Sequence, residues 1–455
     1  MIFSKSLAES KAFFKRFDRK SIAIRYLTML VAGFLMRRGR MSGQQAAGAI
    51  ASEARHRGGV SRFLRKRGGQ LRFIRHRVTE QLLKSSQGRG WYVFILDATD
   101  VTQQGQRTEN TFSTGNRKSR SSKCKRYTKR AHRRHSSHRH VMGLLLTPKG
   151  TRIPYYRSYY TRAYCQQRGE RYLTQADLGA EMIAALPELP RGARVIVLGD
   201  TAFESQQVRR ACQLRGFRWI MPANPERVLA GDKPRPKVSS LLQQFHFDQF
   251  APIRLKPGRE PLAALRRTAP CRIGPKSKTR TYYVHQERRC VHSVGEIQIV
   301  FSTMQEPQRG RPVERDQVKI LLCNDPDLSA ELVVALYALR WQIEMFFKEL
   351  KSVLGMHHYR FSRFDCVEAW VEACLITYLY LEWIRWRRLT SKTITDEERK
   401  WWSWQRSHGL ARAVRQRAEE TEISTLYDSL GSPWGVRKLR RTLRAALPPE
   451  SRWAA

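Results

Sequence analysis

Residues 91–97 read Trp-Tyr-Val-Phe-Ile-Leu-Asp (WYVFILD), an unbroken apolar run closed by an acid. A run of this length and continuity is the pattern of a strand covered on both faces, and its stop before Asp97-Ala98-Thr99-Asp100 predicts that the strand ends there. The same construction recurs at Arg194–Leu198 (RVIVL), followed by Gly199-Asp200. Between them, Val141–Leu146 and Arg152–Tyr160 read as two strands across a Pro-Lys-Gly turn, and Tyr172–Leu186 as an amphipathic helix. After Asp200, a helix around Ser205–Leu214 and a strand at Phe217–Met221 complete a unit suited to a right-handed parallel crossover. These segments predict an α/β fold, a mixed sheet flanked by helices. Pro222 to about Gln317 breaks the pattern with Gly and Pro punctuation, the strand Tyr282–Val284 and the alternating run Glu296–Phe301; it reads as an inserted, mostly β subdomain. Val318–Cys323 is a further strand, and a long helix is expected over roughly Ser329–Leu354. The expected regions are 1–85 (helical, basic), 86–222 (first part of the core), 223–317 (insertion), 318–360 (second part of the core) and 361–455 (helical, basic).

The chain carries 85 Lys and Arg against 39 Asp and Glu, a formal charge of +46 over 455 residues. Such an imbalance works against the compact state through self-repulsion and points to a polyanionic partner, nucleic acid first, because each phosphate neutralised releases condensed counterions. At 41% hydrophobic residues the chain can build real cores and is not a disordered basic tail. The longest apolar runs, Leu27–Met36 and Cys374–Ile384, fall well short of the ~20 residues that span a bilayer, so no membrane is expected. Charges interrupt the first residues where a signal peptide would have its apolar core. Eight scattered cysteines without a C-x-x-C pair fit a reduced, cytoplasmic protein without structural zinc or disulfides.

Two stretches are candidate DNA contacts. In the first, a capping box at Ser42 and Gln45 opens a helix over Gly43–Ala54; Gly58-Gly59 then breaks the chain, and a second helix starts at Ser61 carrying Arg62, Arg65 and Lys66. This is either a helix-turn-helix or a plain helical pair with a solvated basic face. In the second, residues 103–140 include the run KSRSSKCKRYTKRAHRRHSSHRH, with Lys125, Arg126 and Arg130. So dense a run of charge reads as a loop or arm held against DNA, and its His and Cys spacing is too irregular for a metal site.

The long helix carries the chemistry. Tyr337, Arg340, Glu344 and Lys351 stand at offsets that fall within about a sixth of a helical circumference. Leu336, Leu339, Ile343, Phe346 and Leu350 form a neighbouring apolar stripe, so the carboxylate sits at the edge of a core. On the helix alone, Arg340 and Glu344 also make an ordinary i,i+4 pair. Asp97 and Asp200, each expected just past a buried strand, stand where open α/β sheets place ligands. Close carboxylates need a compensating cation, and hard oxygen donors select Mg²⁺, with Mn²⁺ as a substitute. Three acids suffice for two such ions ~4 Å apart, an arrangement that activates an attacking oxygen and steadies a leaving one. Asp100 is the alternative first acid if the strand runs on past Asp97. Trp341 is positioned either to stack on an unpaired base or, the favoured reading, to pack in the core.

The order strand–acid, two strands, helix, strand–acid, helix, strand, insertion, helix–acid resembles a ribonuclease-H-like fold with a DDE triad. Tyr337, Arg340, Glu344 and Lys351 match, without a gap, the Y-x₂-R-x₃-E-x₆-K (YREK) signature of the insertion-sequence transposase family numbered four. The likeness covers roughly Trp91 to Tyr359; Asp97-Ala98-Thr99 and Gly199-Asp200-Thr201-Ala202-Phe203 resemble the family's two Asp motifs. It implies an enzyme of DNA transposition and recombination, with Asp97, Asp200 and Glu344 as catalytic metal ligands. It also implies Tyr337, Arg340 and Lys351 on the phosphate backbone of the transposon end. The expected partners are double-stranded DNA (terminal repeats and target) and a second copy of the chain, with no small-molecule cofactor. A nuclease without strand transfer and a non-catalytic DNA-binding descendant are the alternatives. The C-terminal helices, including Trp370–Trp386, are expected to pack in the core rather than to form a dimer contact.

Overall fold

The computed structural model describes residues 10–17, 21–36, 56–103, 108–114, 135–224, 226–231, 234–255, 280–308 and 315–399, and beyond these only 402, 433, 436 and 437. The expected helix Gly43–Ala54 and Lys125, Arg126 and Arg130 lie outside the described residues. Two compact units divide the chain: the first within 1–84, 101–138 and 345–455, the second from 85–100 and 139–344.

The second unit is built on a sheet whose strands are β1 (Gly90–Gln103), β3 (His135–Leu146), β4 (Arg152–Ser158), β5 (Ala193–Leu198), β6 (Arg218–Pro222), β7 (Ala251–Leu255), β8 (Arg280–Val291), β9 (Gly295–Thr303) and β10 (Val318–Cys323). From β3 the order runs β3-β1-β5-β6-β10-β9-β8-β7, with β4 also paired to β3. β1, β5 and β6 are parallel, β10 is antiparallel to β6, and the remaining described pairings are antiparallel. The apolar run makes β1 a central strand, with Tyr92 to Leu96 fully buried. Residues 223–317, expected as an inserted, mostly β subdomain, contribute β7–β9, which join this sheet through the β9–β10 pairing. The whole is a mixed α/β architecture compatible with a ribonuclease-H-like fold.

β1 does not stop at Leu96. It runs on through Asp97 to Gln103, because Thr99, Val101 and Thr102 are good strand formers and Thr99 and Val101 are buried at alternate positions. The end of the apolar run marks where one face of the sheet loses its cover, not where the strand ends.

Helices α3 (Arg162–Arg168), α4 (Gln175–Ala184), α5 (Gln206–Leu214), α6 (Ala330–Ala338) and α7 (Trp341–Lys348) follow in chain order, the last extending past the boundary between the units. A capping box between Thr174 and Asp177 starts α4, and Ser205 and Ser329 cap α5 and α6. The single long helix expected over Ser329–Leu354 is interrupted. At Leu339 and Arg340 the backbone bonds tighten to i→i+3, with Leu339 N on Leu336 O, Arg340 N on Tyr337 O and Gln342 N on Leu339 O. The last turn, Glu349–Val353, is π-helical. Even so, Leu336, Leu339, Ile343, Phe346 and Leu350 are all buried, as the apolar stripe required.

In the first unit, α1 (Ser21–Met36) and α2 (His56–Ser86) pack on α8 (Phe364–Leu389). β2 (Phe112–Thr114) pairs with residues 135–137 of β3. Helix α8 is apolar around most of its circumference, which marks a core helix. Trp370 is fully buried against Phe34, and Phe13 stacks on Tyr380 and Trp383. Its buried Glu372 is paired with Arg75 of α2, and buried Glu382 with Arg385.

The expected break at Gly58-Gly59 is absent: α2 runs straight through it, and its one non-helical residue is Arg67 (φ −125°, ψ 15°). Gly59 serves instead as a close approach, since a Cβ there would run into the Tyr26 hydroxyl on α1. The first helix of the expected pair lies outside the described residues, and α2 kinks at Arg67 instead of Gly58-Gly59. Arg62, Arg65 and Lys66 are exposed on α2, and Arg72, Phe73, His76 and Arg77 continue the exposed side. No helix among the described residues is long and apolar enough to cross a membrane.

Candidate active site

Asp97 is set by the middle of β1, Asp200 by the turn after β5, and Glu344 by α7. The Asp200 turn follows from its sequence. Asp200 caps a 3₁₀ turn over Thr201–Phe203 and its Oδ1 accepts from Ala202 N at 3.0 Å. Phe203 folds back beneath the turn, fully buried, so that a Cβ on Gly199 would stand 2.9 Å from the Phe203 Cβ. Only glycine fits so close an approach.

Arg340, in the tightened turn between α6 and α7, joins two of the acids. Its Nη1 donates to Asp97 Oδ2 at 3.1 Å and its Nη2 to Glu344 Oε1 at 2.5 Å. Asp97 Oδ1 accepts from Ala98 N at 2.8 Å. The i,i+4 pair read from the helix is thus present, with Asp97 as a third member. Asp100, the alternative first acid, alternates to the opposite side of β1 and is engaged by Arg139 at 2.8 Å.

Burial, then the charge of Asp200, raises the Asp97 pKa to about 6; Ala98 N–H and Arg340 pull the other way, and Glu344 raises it further. The folded-state value lies above that of an unfolded Asp, so ionising Asp97 costs stability, fully so above pH 6 and not at all below about pH 4. With divalent ions chelated, Asp97→Asn is therefore expected to melt higher than wild type at pH 7. The advantage should shrink as pH falls from 6 to 4. An equal difference at pH 4 and pH 7 in thermal melts would contradict the electrostatic origin.

Tyr337 is buried rather than presented to solvent. Its hydroxyl lies 3.4 Å from the carbonyl oxygen of Gly199, a long hydrogen bond, and burial pushes its pKa up to about 12. Lys319, which the sequence reading missed, places its ammonium 4.6 Å from the centre of the Tyr337 ring. Trp341, favoured as a core residue, is instead 58% exposed, five residues from Leu336 and so on the side of the helix away from the apolar stripe. Lys351 lies in the π-helical turn of the first unit, half-buried.

Two carboxylates from separate elements, Asp97 and Glu344, thus share the Arg340 guanidinium, and Asp200 stands near enough to Asp97 for its charge to be felt there. Residues 174–380 match the family model of the transposase DDE domain. The match includes Asp200, Tyr337, Arg340 and Glu344 and begins after Asp97, which the parallel pairing of β1 with β5 brings alongside. It supports a DDE transposase, an enzyme acting on DNA. No curated protein matches the chain.

Transposase DDE domains generally use divalent metal ions. Among the described residues no three His, Cys, Asp or Glu side chains already converge as a single ion's ligands. The chemistry of the donor set nevertheless fits: three carboxylates, hard oxygen donors, one of them with a proton affinity raised by burial and then by the charge of Asp200.

Proposed function

We propose that the chain is a cut-and-paste DNA transposase of the insertion-sequence family numbered four, with a ribonuclease-H-like catalytic core. The observation that supports this reading is the sharing of Arg340 by Asp97 and Glu344, with the charge of Asp200 felt at Asp97, in a chain of net charge +46 whose residues 174–380 match the transposase DDE domain. Asp97, Asp200 and Glu344 would hold Mg²⁺, two ions per site, with Mn²⁺ as a substitute. Bound there, the ions would activate the attacking oxygen and steady the leaving one.

The protein's own groups do the positioning. Arg340 offers a forked donor set suited to a phosphodiester, and Lys351 and Lys319 offer point charges. Tyr337 is assigned to the YREK signature, and its contact with Gly199 suits it to hold the Asp200 turn. Arg62, Arg65 and Lys66 on α2 and Lys125, Arg126 and Arg130 supply sequence-independent phosphate contacts. The reaction class is hydrolysis at the element's ends, then attack of the freed 3′-hydroxyl on target DNA. Two ends must be joined together, so the working form on DNA is a homodimer, acting in the cytoplasm where the DNA is.

Incubation of the purified chain with its own element's end DNA and Mg²⁺ tests the activity, and precut ends with a free 3′-hydroxyl test the transfer step. Cleavage at the boundary plus joined products is the expected outcome. Cleavage without joining would reduce the protein to a nuclease, and binding without either would make it a DNA-binding descendant.

Trp341 is assigned to base stacking beside the site. Trp341→Ala is expected to leave the melting temperature unchanged and to weaken binding of end DNA by about 1–3 kcal/mol. Leu214, 77% exposed on α5, is the control, since Leu214→Ala should change neither. Equal binding by the Trp341 variant and wild type in a fluorescence titration would remove the residue from the interface.

A further inference from the structure

The guanidinium of Arg340 occupies oxygen atoms that a divalent cation would need. Its two terminal nitrogens reach different carboxylates, Asp97 Oδ2 at 3.1 Å and Glu344 Oε1 at 2.5 Å, while the side chain is only 19% exposed. The other groups facing it are Tyr337, whose ring lies under Lys319, and Lys319 itself. A cation entering between Asp97 and Glu344 therefore meets lone pairs already committed and two positive side chains close by. A guanidinium leaves such a pair readily only for another oxyanion with matched geometry, and a phosphodiester has it.

We infer that Arg340 is a built-in competitor for the metal, which a DNA phosphate removes by taking the guanidinium for itself. Metal loading and DNA binding then become one coupled event. Without DNA, the two carboxylates are neutralised internally and hold the cation weakly. With a phosphate on Arg340, their charge is uncompensated and the cation binds tightly. Coupling of this kind is reciprocal, so the cation must tighten DNA binding by the same factor. An enzyme wired in this way arms its cutting centre only on substrate. The inference rests on the proposed reading of Asp97, Asp200 and Glu344 as metal ligands.

The test is the affinity of the full chain for Mn²⁺, read from the spin resonance signal of the free ion, with and without a duplex of the element's end. The Mn²⁺ taken up by the duplex alone is subtracted. Wild type is expected to gain about 5- to 150-fold in Mn²⁺ affinity when the duplex is added, the usual span of such couplings. Arg340→Gln, which removes the cation, is expected to bind Mn²⁺ tightly without the duplex and to gain little from it. Wild type is also read the other way, which needs no variant to fold: Mn²⁺ should tighten duplex binding, followed by fluorescence anisotropy, by the same factor.

Equal Mn²⁺ affinity of wild type with and without duplex overturns the inference, as does an Arg340→Gln protein that retains the full gain. Asp97→Asn separates the two levels. If it loses Mn²⁺ while Arg340→Gln binds no tighter than wild type, the metal site stands and the competition falls. If it binds Mn²⁺ as wild type does, the metal site itself falls.

Discussion

Replacement of Asp97 by Asn should lower the rate of end cleavage about 1,000-fold or more, while DNA binding measured without divalent ions is kept. Asn keeps the size of the side chain and an oxygen that can accept from Ala98 N, so β1 is not disturbed. It removes one of three negative charges and an anionic oxygen donor. Metal-assisted stabilisation of developing charge contributes several kcal/mol, and a loss of about 4 kcal/mol is a factor of about 1,000 in rate. Binding, by contrast, depends on Lys and Arg and should persist. Asp100→Asn should cut at nearly the wild-type rate, because Asp100 is turned to the other side of the strand and paired with Arg139. Cleavage measured for both variants decides between them. An Asp97→Asn enzyme that still cuts would hand the role to another acid.

Glu204→Ala should unfold far more easily than wild type, by about 3–5 kcal/mol, the usual cost of breaking a buried ion pair from one side. The Glu204 carboxylate is fully buried and pairs with both Arg209 of α5 and Arg227. Arg209 also donates to the carbonyl of Ser293 at 3.2 Å and Arg227 to its hydroxyl at 3.2 Å. Ser293 stands in the β8–β9 turn with φ +61°. Glu204 thus anchors the segment that begins at Asp200 to a hairpin contributed by residues 280–303. Its removal strands two cations in a site that excludes water. A triple variant, Glu204→Leu with Arg209→Met and Arg227→Met, should recover most of the loss, since apolar replacement of a whole buried network is often neutral. Urea unfolding of the three proteins measures this. A loss below about 1 kcal/mol for the single variant would show that the carboxylate is not desolvated.

Asp200 was legible in the chain as written, because an apolar run closed by Gly-Asp has few meanings and a parallel crossover of the right length follows it. Asp97 was legible as a residue but not in its setting: strand length depends on pairing with β3 and β5, which no local pattern records. The tightened turn at Leu339-Arg340 was equally hidden. A wheel drawn on an uninterrupted helix kept Arg340 and Glu344 together, while the burial of the Tyr337 ring beneath Lys319 left no local mark. Lys319 itself gave no signal. In Val318–Cys323 it is an ordinary outward position, and only the antiparallel seat of β10 between β6 and β9 carries it to the site. Gly59 misled for a related reason: a glycine pair signals a break locally, while here it admits Tyr26.

Helix α8 supplies the core on which α1 and α2 pack, and it lies far downstream of them. During synthesis at about 5–20 residues per second, roughly 15 to 60 s pass between completion of α2 at Ser86 and the appearance of Phe364. Throughout that interval α1 and α2 have only each other, and the surface they turn to α8, with Phe34 against Trp370 and Arg75 against Glu372, has no native partner. Each newly made chain therefore carries a sticky amino-terminal segment on the ribosome until its last fifth is made. A premature stop before α8 would leave that surface permanently uncovered, as a substrate for chaperones and proteases rather than as a free-standing DNA-binding fragment.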